Sequence, residues 1–195
     1  MILRGKSSHQ AQLTRTIALI VAMTLALAAP AVTAQTCRDA VPATRPDSRF
    51  ITDRDGTVRD LNTGLMWKRC VEGASGMGCE RGKPRLLTWK SAMQQGRRVV
   101  FAGYADWRLP DQTELASLVE ARCYGIELDA VSFPNTPAER FWTSTPAPYY
   151  ENSAWMLHFG HSAISFGTES DVGFVRLVRD RAACSPASPQ FCVIR

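Results

Sequence analysis

The stretch GYADWRLPDQTELASLV, residues 103–119, contains the clearest helix start in this chain. Pro110 precedes Asp111, and Asp111 with Glu114 three residues later is the pair typical of a capping box at a helix N-terminus. Apolar residues then follow at helical spacing, at Leu115, Leu118 and Val119. The stretch therefore predicts a helix that begins beside Asp111 and buries one apolar face.

The four residues before this helix, Trp107 to Pro110, have two interpretations. They form a binding surface, or Trp107 and Leu109 fill the core where the chain enters the helix. The structural interpretation is preferred, because large apolar side chains that lead into a helix are usually buried. Arg108 is then expected to orient the segment by pairing with Asp106 or with another buried carboxylate.

A second helix is predicted upstream of this stretch. Thr88 is a suitable N-cap, and Trp89, Ala92 and Met93 fall on one face at helical spacing. Gly96 is expected to end the helix.

The segment before that helix favours an antiparallel meander. Phe50-Ile51 and Thr57–Asp60 flank Asp53–Gly56, whose Asp and Gly residues suit a tight turn between two strands. A second turn at Asn62–Gly64 leads to a third strand at Leu65–Trp67.

Where residues 120–195 show a hydrophobic pattern, it is mostly that of β-strands. Strands are predicted at Phe141–Thr145, Ala154–Phe159, Ala163–Phe166 and Gly173–Arg179.

Residues 71–85 are rich in glycine and charge and predict a loop that contains Cys79. Two helices among antiparallel strands place the chain in the α+β class.

The N-terminus predicts a cleavable signal peptide at residues 1–34. Arg4, Lys6 and Arg15 precede an apolar run from Ile17 to Ala29, which is short for a membrane span. A retained N-terminal anchor is the alternative. The rest of the chain is divided into an extended arm at 35–48, a domain at 49–181 and a tail at 182–195.

Removal of residues 1–34 would change the charge balance of the chain. Three of the 23 basic residues would be lost, which reduces the net charge of +5 to +2 in a mature chain of 161 residues. That length is typical of one domain. Such a balance gives no support to a general nucleic-acid role.

All six cysteines lie in the predicted mature chain. An even number in an exported chain favours disulfides over metal thiolates. Cys70 with Cys79 and Cys184 with Cys192 are close enough to close short loops, which leaves Cys37 for Cys123. Fifteen pairings are formally possible.

Several blocks of this chain resemble the Lcl C-terminal domain family. The blocks are TVRDLNTGLMWKR (57–69), TWKSAM (88–93), GYADWRLPDQTELASLV (103–119), FPNT with FWTST (133–145) and VRLVR (175–179). The resemblance extends over about residues 50–181. The WRLP block with its capped helix and the terminal VRLVR are also similar to the formylglycine-generating-enzyme and C-type-lectin-like superfamily.

The resemblance implies a C-type-lectin-like fold and a binding role. The family's namesake is part of a collagen-like bacterial adhesin that binds host glycosaminoglycans, whereas this chain contains no collagen repeat. Multivalent, trimeric adhesion is therefore not implied for this chain. Likeness of fold does not by itself transmit function.

A basic strip is the first candidate ligand site. We define it as the six cations between residues 81 and 98, a stretch that contains no acidic residue: Arg81, Lys83, Arg85, Lys90, Arg97 and Arg98. Clustered Arg and Lys suit sulfated polysaccharide, because each supplies charge-assisted hydrogen bonds. The alternative is a solvated loop and helix face.

Tyr149 and Tyr150 are the second candidate ligand site. They lie in a predicted loop between two strands, where they are expected to be more exposed than Trp67 or Trp155. Exposed aromatic rings stack on sugars, although a loop tyrosine pair also serves packing.

Metal and enzyme sites have weaker signals. Asp53, Asp55 and Asp60 resemble the start of a calcium loop without its later ligands, so turn chemistry explains them. His158 and His161 are expected to diverge in a strand and turn, and no third zinc ligand is evident. No catalytic residues, metal or cofactor are predicted.

The leading hypothesis is an exported, non-enzymatic domain that binds surface glycans or sulfated polyanions in adhesion, in the periplasm, on the cell surface or in the medium. The alternative is a cell-envelope or pilus-associated structural component that binds another protein. An enzyme with formylglycine-generating-like cysteine chemistry is the third hypothesis. Such chemistry needs reactive thiols in a cleft, whereas the even number of cysteines favours disulfides. Neither a nucleic-acid partner nor a stable membrane span after signal cleavage is expected.

Overall fold

A computed structural model of the protein describes residues 36–38, 47–120 and 122–180. In chain order its elements are β1 (Thr36–Cys37), a 3-10 turn (Asp47–Arg49), β2 (Phe50–Thr52), β3 (Thr57–Asp60), β4 (Leu65–Lys68), β5 (Ala74–Ser75), β6 (Arg81–Gly82), α1 (Trp89–Arg98), α2 (Gln112–Ala116), β7 (Cys123–Tyr124), β8 (Arg140–Pro146), β9 (Ala154–His158), β10 (Ile164–Gly167) and β11 (Val178–Asp180). Among these residues no helix is long and apolar enough to cross a membrane. The predicted signal peptide, most of the predicted arm and the predicted tail lie outside the described residues.

The predicted meander is confirmed as part of a four-stranded antiparallel sheet in the order β11-β4-β3-β2. The turn between β2 and β3 is closed by a hydrogen bond from the Gly56 N–H to the Asp53 carbonyl, at 3.2 Å. Gly56 has a φ of +86°, which glycine adopts without steric cost. Asp55 accepts a hydrogen bond from the Thr57 hydroxyl at 2.7 Å, so these carboxylates do serve turn chemistry.

A second antiparallel sheet has the order β10-β9-β8 and confirms three of the four strands predicted in the second half of the chain. The fourth prediction, one strand over Gly173–Arg179, is wrong in extent. Gly173 pairs with Leu87 and Phe174 pairs with Phe141, and a regular ladder exists only in β11. The segment changes partners as it passes from one sheet to the other, so its backbone cannot keep a single strand register.

Helix α1 begins as predicted but extends beyond its predicted end. Thr88 is the N-cap, and its hydroxyl accepts a hydrogen bond from the Ser91 N–H. The helix passes through Gly96 and ends at Arg98. Gly96 faces the segment 108–109 so closely that a Cβ there would lie 3.1 Å from the Arg108 Cα. The glycine therefore serves close packing rather than helix termination.

Helix α2 has the predicted capping box. The Asp111 carboxylate accepts from the Glu114 N–H at 2.7 Å, and the Glu114 carboxylate accepts from the Asp111 N–H at 2.8 Å. Leu115 on the helix is fully buried, as predicted. The helix is shorter than predicted and ends at Ala116, so the fully buried Leu118 and the half-buried Val119 lie beyond it.

Two disulfides tie the described residues together. Cys37 bonds to Cys123 beside the β1–β7 pair, and Cys70 bonds to Cys79 beside the β5–β6 pair. These are two of the three pairings predicted from spacing. The third, Cys184 with Cys192, lies outside the described residues.

Strand β9 lies between two hydrophobic clusters. Leu157 and the following Phe159 pack into one cluster, with Trp67, Leu115 of α2 and Leu118. Ala154 and Met156 pack into the other, with Trp107 and Trp142. Both faces of the strand are therefore buried, and α1 packs against the second cluster through Ala92. The fold is a small α+β arrangement of two helices, antiparallel sheets and disulfides.

Candidate functional site

The six cations of the basic strip are all exposed to solvent. Arg81 lies on β6, Lys83 and Arg85 follow it, and the remaining three lie on α1. Within the described part of the chain, Arg81 is the one strip cation in ion-pair range of a carboxylate, 3.9 Å from Glu80. Both partners of that pair are largely solvated, so they attract each other weakly. The strip therefore keeps most of its positive charge available to a ligand.

The backbone of the strip is held in place by hydrogen bonds and a disulfide. The N–H of Arg85 donates to the carbonyl of Glu72 at 2.9 Å, and Leu87 exchanges two backbone hydrogen bonds with Gly173. The Cys70–Cys79 disulfide closes the preceding loop. The cationic segment consequently has a fixed path between the disulfide loop and α1.

A groove of about 630 Å³ runs beside α1. Its lining comes from the helix on one side and from two loops on the other: Thr88, Trp89, Lys90, Met93, Gln94, Arg97, Asn152 and Glu169. The strip contributes Lys90 and Arg97 to it. This volume lies within the range of roughly 300–1,000 Å³ that is typical of small-molecule sites.

The helix side of the groove follows from helix geometry. Trp89, Met93 and Arg97 are spaced four residues apart, so they lie above one another on one face. The Trp89 indole N–H donates to the Thr143 carbonyl on β8 at 2.9 Å, which fixes the ring. Trp89 and Met93 thus form a partly apolar floor of the groove, and the hydrogen bond fixes the orientation of the Trp89 ring.

The loop side of the groove is built by residues far from α1 in sequence. Asn152 belongs to the loop between β8 and β9, which Ser153 closes through hydrogen bonds to the carbonyls of Ala147 and Tyr150. Glu169 lies in the turn after β10, where Thr168 and Asp171 are hydrogen-bonded. These bonds lower the pKa of Asp171. No local pattern in the sequence predicts that these loops meet the helix.

The tyrosine pair is exposed as predicted, at 60% for Tyr149 and 62% for Tyr150, whereas Trp67 is fully buried. Both rings lie against Phe166, with centroid separations of 5.3 and 5.7 Å. Tyr149 also meets Trp155 edge-on at 5.8 Å. We call these four residues the aromatic patch. It lies next to the groove along the chain, since Tyr150 is two residues from Asn152.

The WRLP block is structural, as preferred from the sequence. Trp107 and Leu109 are 2% and 3% exposed, and the Trp107 indole N–H donates to the Phe101 carbonyl at 3.1 Å. Arg108 forms a two-pronged pair with Glu114, with both N–O distances at 2.7 Å, and reaches Asp180 at 2.6 Å. Its predicted orienting role toward a carboxylate is thereby met by Glu114.

Of the two alternatives for Arg108, Asp106 or another carboxylate, the structure has the second, because the capping box turns Glu114 back toward Arg108. Asp106 binds Arg179 instead, at 2.7 and 2.9 Å. The hydrogen bonds from Arg179 lower the pKa of Asp106. Burial opposes ionisation of Glu114, but the Arg108 guanidinium and the Asp111 N–H outweigh it and lower the pKa of that carboxyl.

The two histidines do not diverge as expected. The rings of His158 and His161 stack with centroids 3.8 Å apart, because the tight turn after β9 folds His161 back over the strand end. Burial, followed by the charge of His161, lowers the pKa of His158. Across the described residues no group of three or more His, Cys, Asp or Glu side chains could hold a metal ion.

Three buried arginines could not be predicted from the sequence, and Arg179, which is 4% exposed, is one of them. Arg49 is 1% exposed and pairs with the fully buried Asp60. Arg176 is fully buried, donates to the carbonyls of Lys68 and Arg69 and to the Thr136 hydroxyl, and its pKa falls to about 9 because of burial. Nothing in the local sequence around these arginines predicts that their side chains are buried.

Comparison with known proteins identifies the family. Residues 56–179 match the model of the Lcl C-terminal domain, a span from the β2–β3 turn to β11. No curated protein matches the chain significantly. The matched span includes the capping box, the basic strip and the whole groove. The chain therefore belongs to the Lcl C-terminal domain family, as its sequence blocks predicted.

Proposed function

We propose that this chain is an exported, non-enzymatic binding domain that recognises anionic glycans through the basic strip. The observation that carries this proposal is the exposure of all six strip cations, of which Arg81 alone has a carboxylate in range among the described residues. Sulfate and carboxylate groups of a glycan would take the place of the missing counter-charges.

The electrostatics support a local binding site rather than non-specific attraction of the whole chain for polyanions. The predicted mature chain has a net charge of only +2, so attraction for a polyanion has to come from a local concentration of cations. Exposed charges interact over a Debye length of about 8 Å at physiological salt. Binding should therefore weaken steeply as salt is added.

We extend the proposal to fold type and location. The two helices, the antiparallel sheets and the paired cysteines support a C-type-lectin-like arrangement, in which loops on a rigid scaffold carry the binding site. Disulfides persist in oxidising compartments, and the two bonds present support export. The groove side chains are cations, amides, one carboxylate, Trp and Met, a set suited to reversible binding.

Retention on a heparin column tests the proposal. The purified chain should elute only when salt is added, and Arg81, Lys83 and Arg85 changed together to Gln should elute at clearly lower salt. Arg85→Gln alone has a matched control in Arg54→Gln, which removes one exposed cation from the β2–β3 turn. Equal shifts for the two single variants, or no retention of the unaltered chain, would contradict the proposal.

The aromatic patch favours a second candidate function. Exposed Tyr149, Tyr150 and Phe166 lie side by side, and aromatic residues are enriched at protein interfaces. A cell-envelope or pilus-associated component that binds another protein would use such a patch. Capture of an envelope protein that depends on Tyr149 and Tyr150 and not on salt, together with absent heparin retention, would select this function.

A further inference from the structure

The groove beside α1 differs in chemistry from the rest of the basic strip. Its helix side presents two cations, Lys90 and Arg97, whereas its loop side presents the carboxylate of Glu169. A site for a uniformly charged polyanion would not place a carboxylate opposite its cations, because like charges repel. The groove therefore suits a ligand whose two sides differ.

The floor of the groove suits the non-polar face of a ring. Trp89 and Met93 lie one turn apart, and the indole is anchored by its hydrogen bond to Thr143. An anchored ring loses little conformational freedom when a ligand packs on it. The C–H face of a pyranose is such a partner.

The loop side suits hydroxyl groups. Glu169 and Asn152 are both exposed, and the Asn152 amide nitrogen lies 3.5 Å from a Glu169 carboxylate oxygen. The carboxylate accepts hydrogen bonds, and the amide both donates and accepts them. Vicinal hydroxyls of a sugar match that pair, whereas phosphate oxygens of a polyphosphate would be repelled by Glu169.

We infer that the groove holds one acidic sugar ring of a bound glycan. The ring packs on Trp89 and Met93, its anionic substituent faces Lys90 and Arg97, and its hydroxyls donate to Glu169. This inference rests on the proposed function and adds to it that the site distinguishes an acidic saccharide from other polyanions.

Calorimetric titration with two probes tests the inference: a heparin hexasaccharide, and a linear polyphosphate of similar charge. Glu169→Ala should weaken hexasaccharide binding about fivefold or more, as expected when hydrogen bonds to a charged group are lost. It should leave polyphosphate binding unchanged or slightly tighter, since one negative charge has been removed. Asn152→Gly should act in the same direction, and its left-handed φ of +55° is one that glycine adopts freely.

Glu151→Ala is the matched control. Glu151 is exposed beside Asn152 in the β8–β9 loop and outside the groove lining, so this variant removes an equal charge without touching the site. The inference is overturned if Glu169→Ala binds the hexasaccharide as tightly as Glu151→Ala does. If strip variants still weaken both probes in that case, the proposed function stands while the groove inference falls. If the unaltered chain binds neither probe, both fall.

The Trp89 indole gives a direct readout of the site. Its N–H proton signal should shift when the hexasaccharide saturates the chain and should stay in place with polyphosphate. An indole signal that does not move under saturating hexasaccharide also overturns the inference.

Discussion

At the scale of single residues, the ion pair between Arg49 and Asp60 shows how strongly burial changes the contribution of a charged group to stability. Both side chains are buried, and the Arg49 guanidinium also donates to the Ser117 carbonyl at 2.7 Å. Burial opposes ionisation of Asp60, but the hydrogen bonds from Arg49, Thr63 and Asn62 and the charge of Arg49 together outweigh it and lower the pKa of that carboxyl. The pair links the meander sheet to the end of α2.

Removing one member of this pair should be strongly destabilising. Asp60→Ala leaves a buried guanidinium without its counter-charge, which costs about 3–5 kcal/mol in the free energy of unfolding. Asp53→Ala is the control, since its pair with Arg59 is about one-third exposed and should cost about 1 kcal/mol or less. Urea denaturation measures both, and equal losses would refute the role of burial.

Only part of the Asp60 environment can be predicted from the sequence. Asp60 was correctly assigned to local turn chemistry, and its carboxylate does accept from the Asn62 N–H at 3.0 Å. Its partner Arg49 lies eleven residues away on another strand end, and only the antiparallel register brings the two together. The turn geometry sets that register, but the strand pattern alone does not show that the Arg49 side chain is buried against Asp60.

At the scale of elements, α1 is the structure on which the candidate site depends. Its N-terminus is fixed by the Thr88 cap, and its outer face carries the cations. Trp89 and Met93, at the edge of its inner face, form the groove floor and also pack against the second hydrophobic cluster. Its inner face packs on the second hydrophobic cluster and reaches the 108–109 backbone at Gly96. Any change that displaces α1 should therefore affect both stability and ligand binding.

Gly96→Ala should destabilise the chain although alanine is the better helix former. The gain in helix propensity is about 1 kcal/mol, whereas overpacking against the 108–109 backbone costs about 1–3 kcal/mol. We expect a net loss, measured by thermal or urea unfolding. Gln94→Ala on the exposed face of the same helix should change the free energy of unfolding by less than about 0.5 kcal/mol. A stabilised Gly96→Ala variant would show that the close approach is not tight.

Both helix starts were predictable because caps are local. Thr88 and the Asp111–Glu114 box satisfy backbone donors within a few residues, and that chemistry is written in consecutive positions. The end of α1 was not predictable, since the role of Gly96 depends on a segment twelve residues further along the chain. The single strand predicted at Gly173–Arg179 failed for the same reason.

At the scale of the whole molecule, the two disulfides constrain the chain to different degrees. Cys37 and Cys123 are separated by 86 residues, and Cys70 and Cys79 by nine. In the chain-entropy model the cost of closing a loop rises with the logarithm of its length. The first bond restricts the unfolded chain much more than the second.

Removing each bond separately should therefore have unequal effects. Replacing Cys37 and Cys123 by alanine should lower the free energy of unfolding by about 4.5 kcal/mol, and replacing Cys70 and Cys79 by about 2.5 kcal/mol. Chemical denaturation of the two double variants gives the difference directly. The larger loss in the Cys70/Cys79 variant would mean that native contacts in the loop before the basic strip, rather than unfolded-state entropy, dominate.

The sequence by itself determined the α+β class, the meander, both helix starts and the Cys70–Cys79 pairing, because each depends on signals between nearby residues. It determined the family through blocks spread along the chain. The Cys37–Cys123 pairing followed only by elimination, and the structure decided it. Only the tertiary structure decided that Lys90 and Arg97 share a groove with Asn152 and Glu169, that Asp106 binds Arg179, and that the two histidines stack. Those contacts join residues from different elements, and their geometry is set by how the sheets and helices pack. The basic strip can thus be predicted from the sequence, whereas the position of the Glu169 carboxylate across the groove from it follows only from the folded structure.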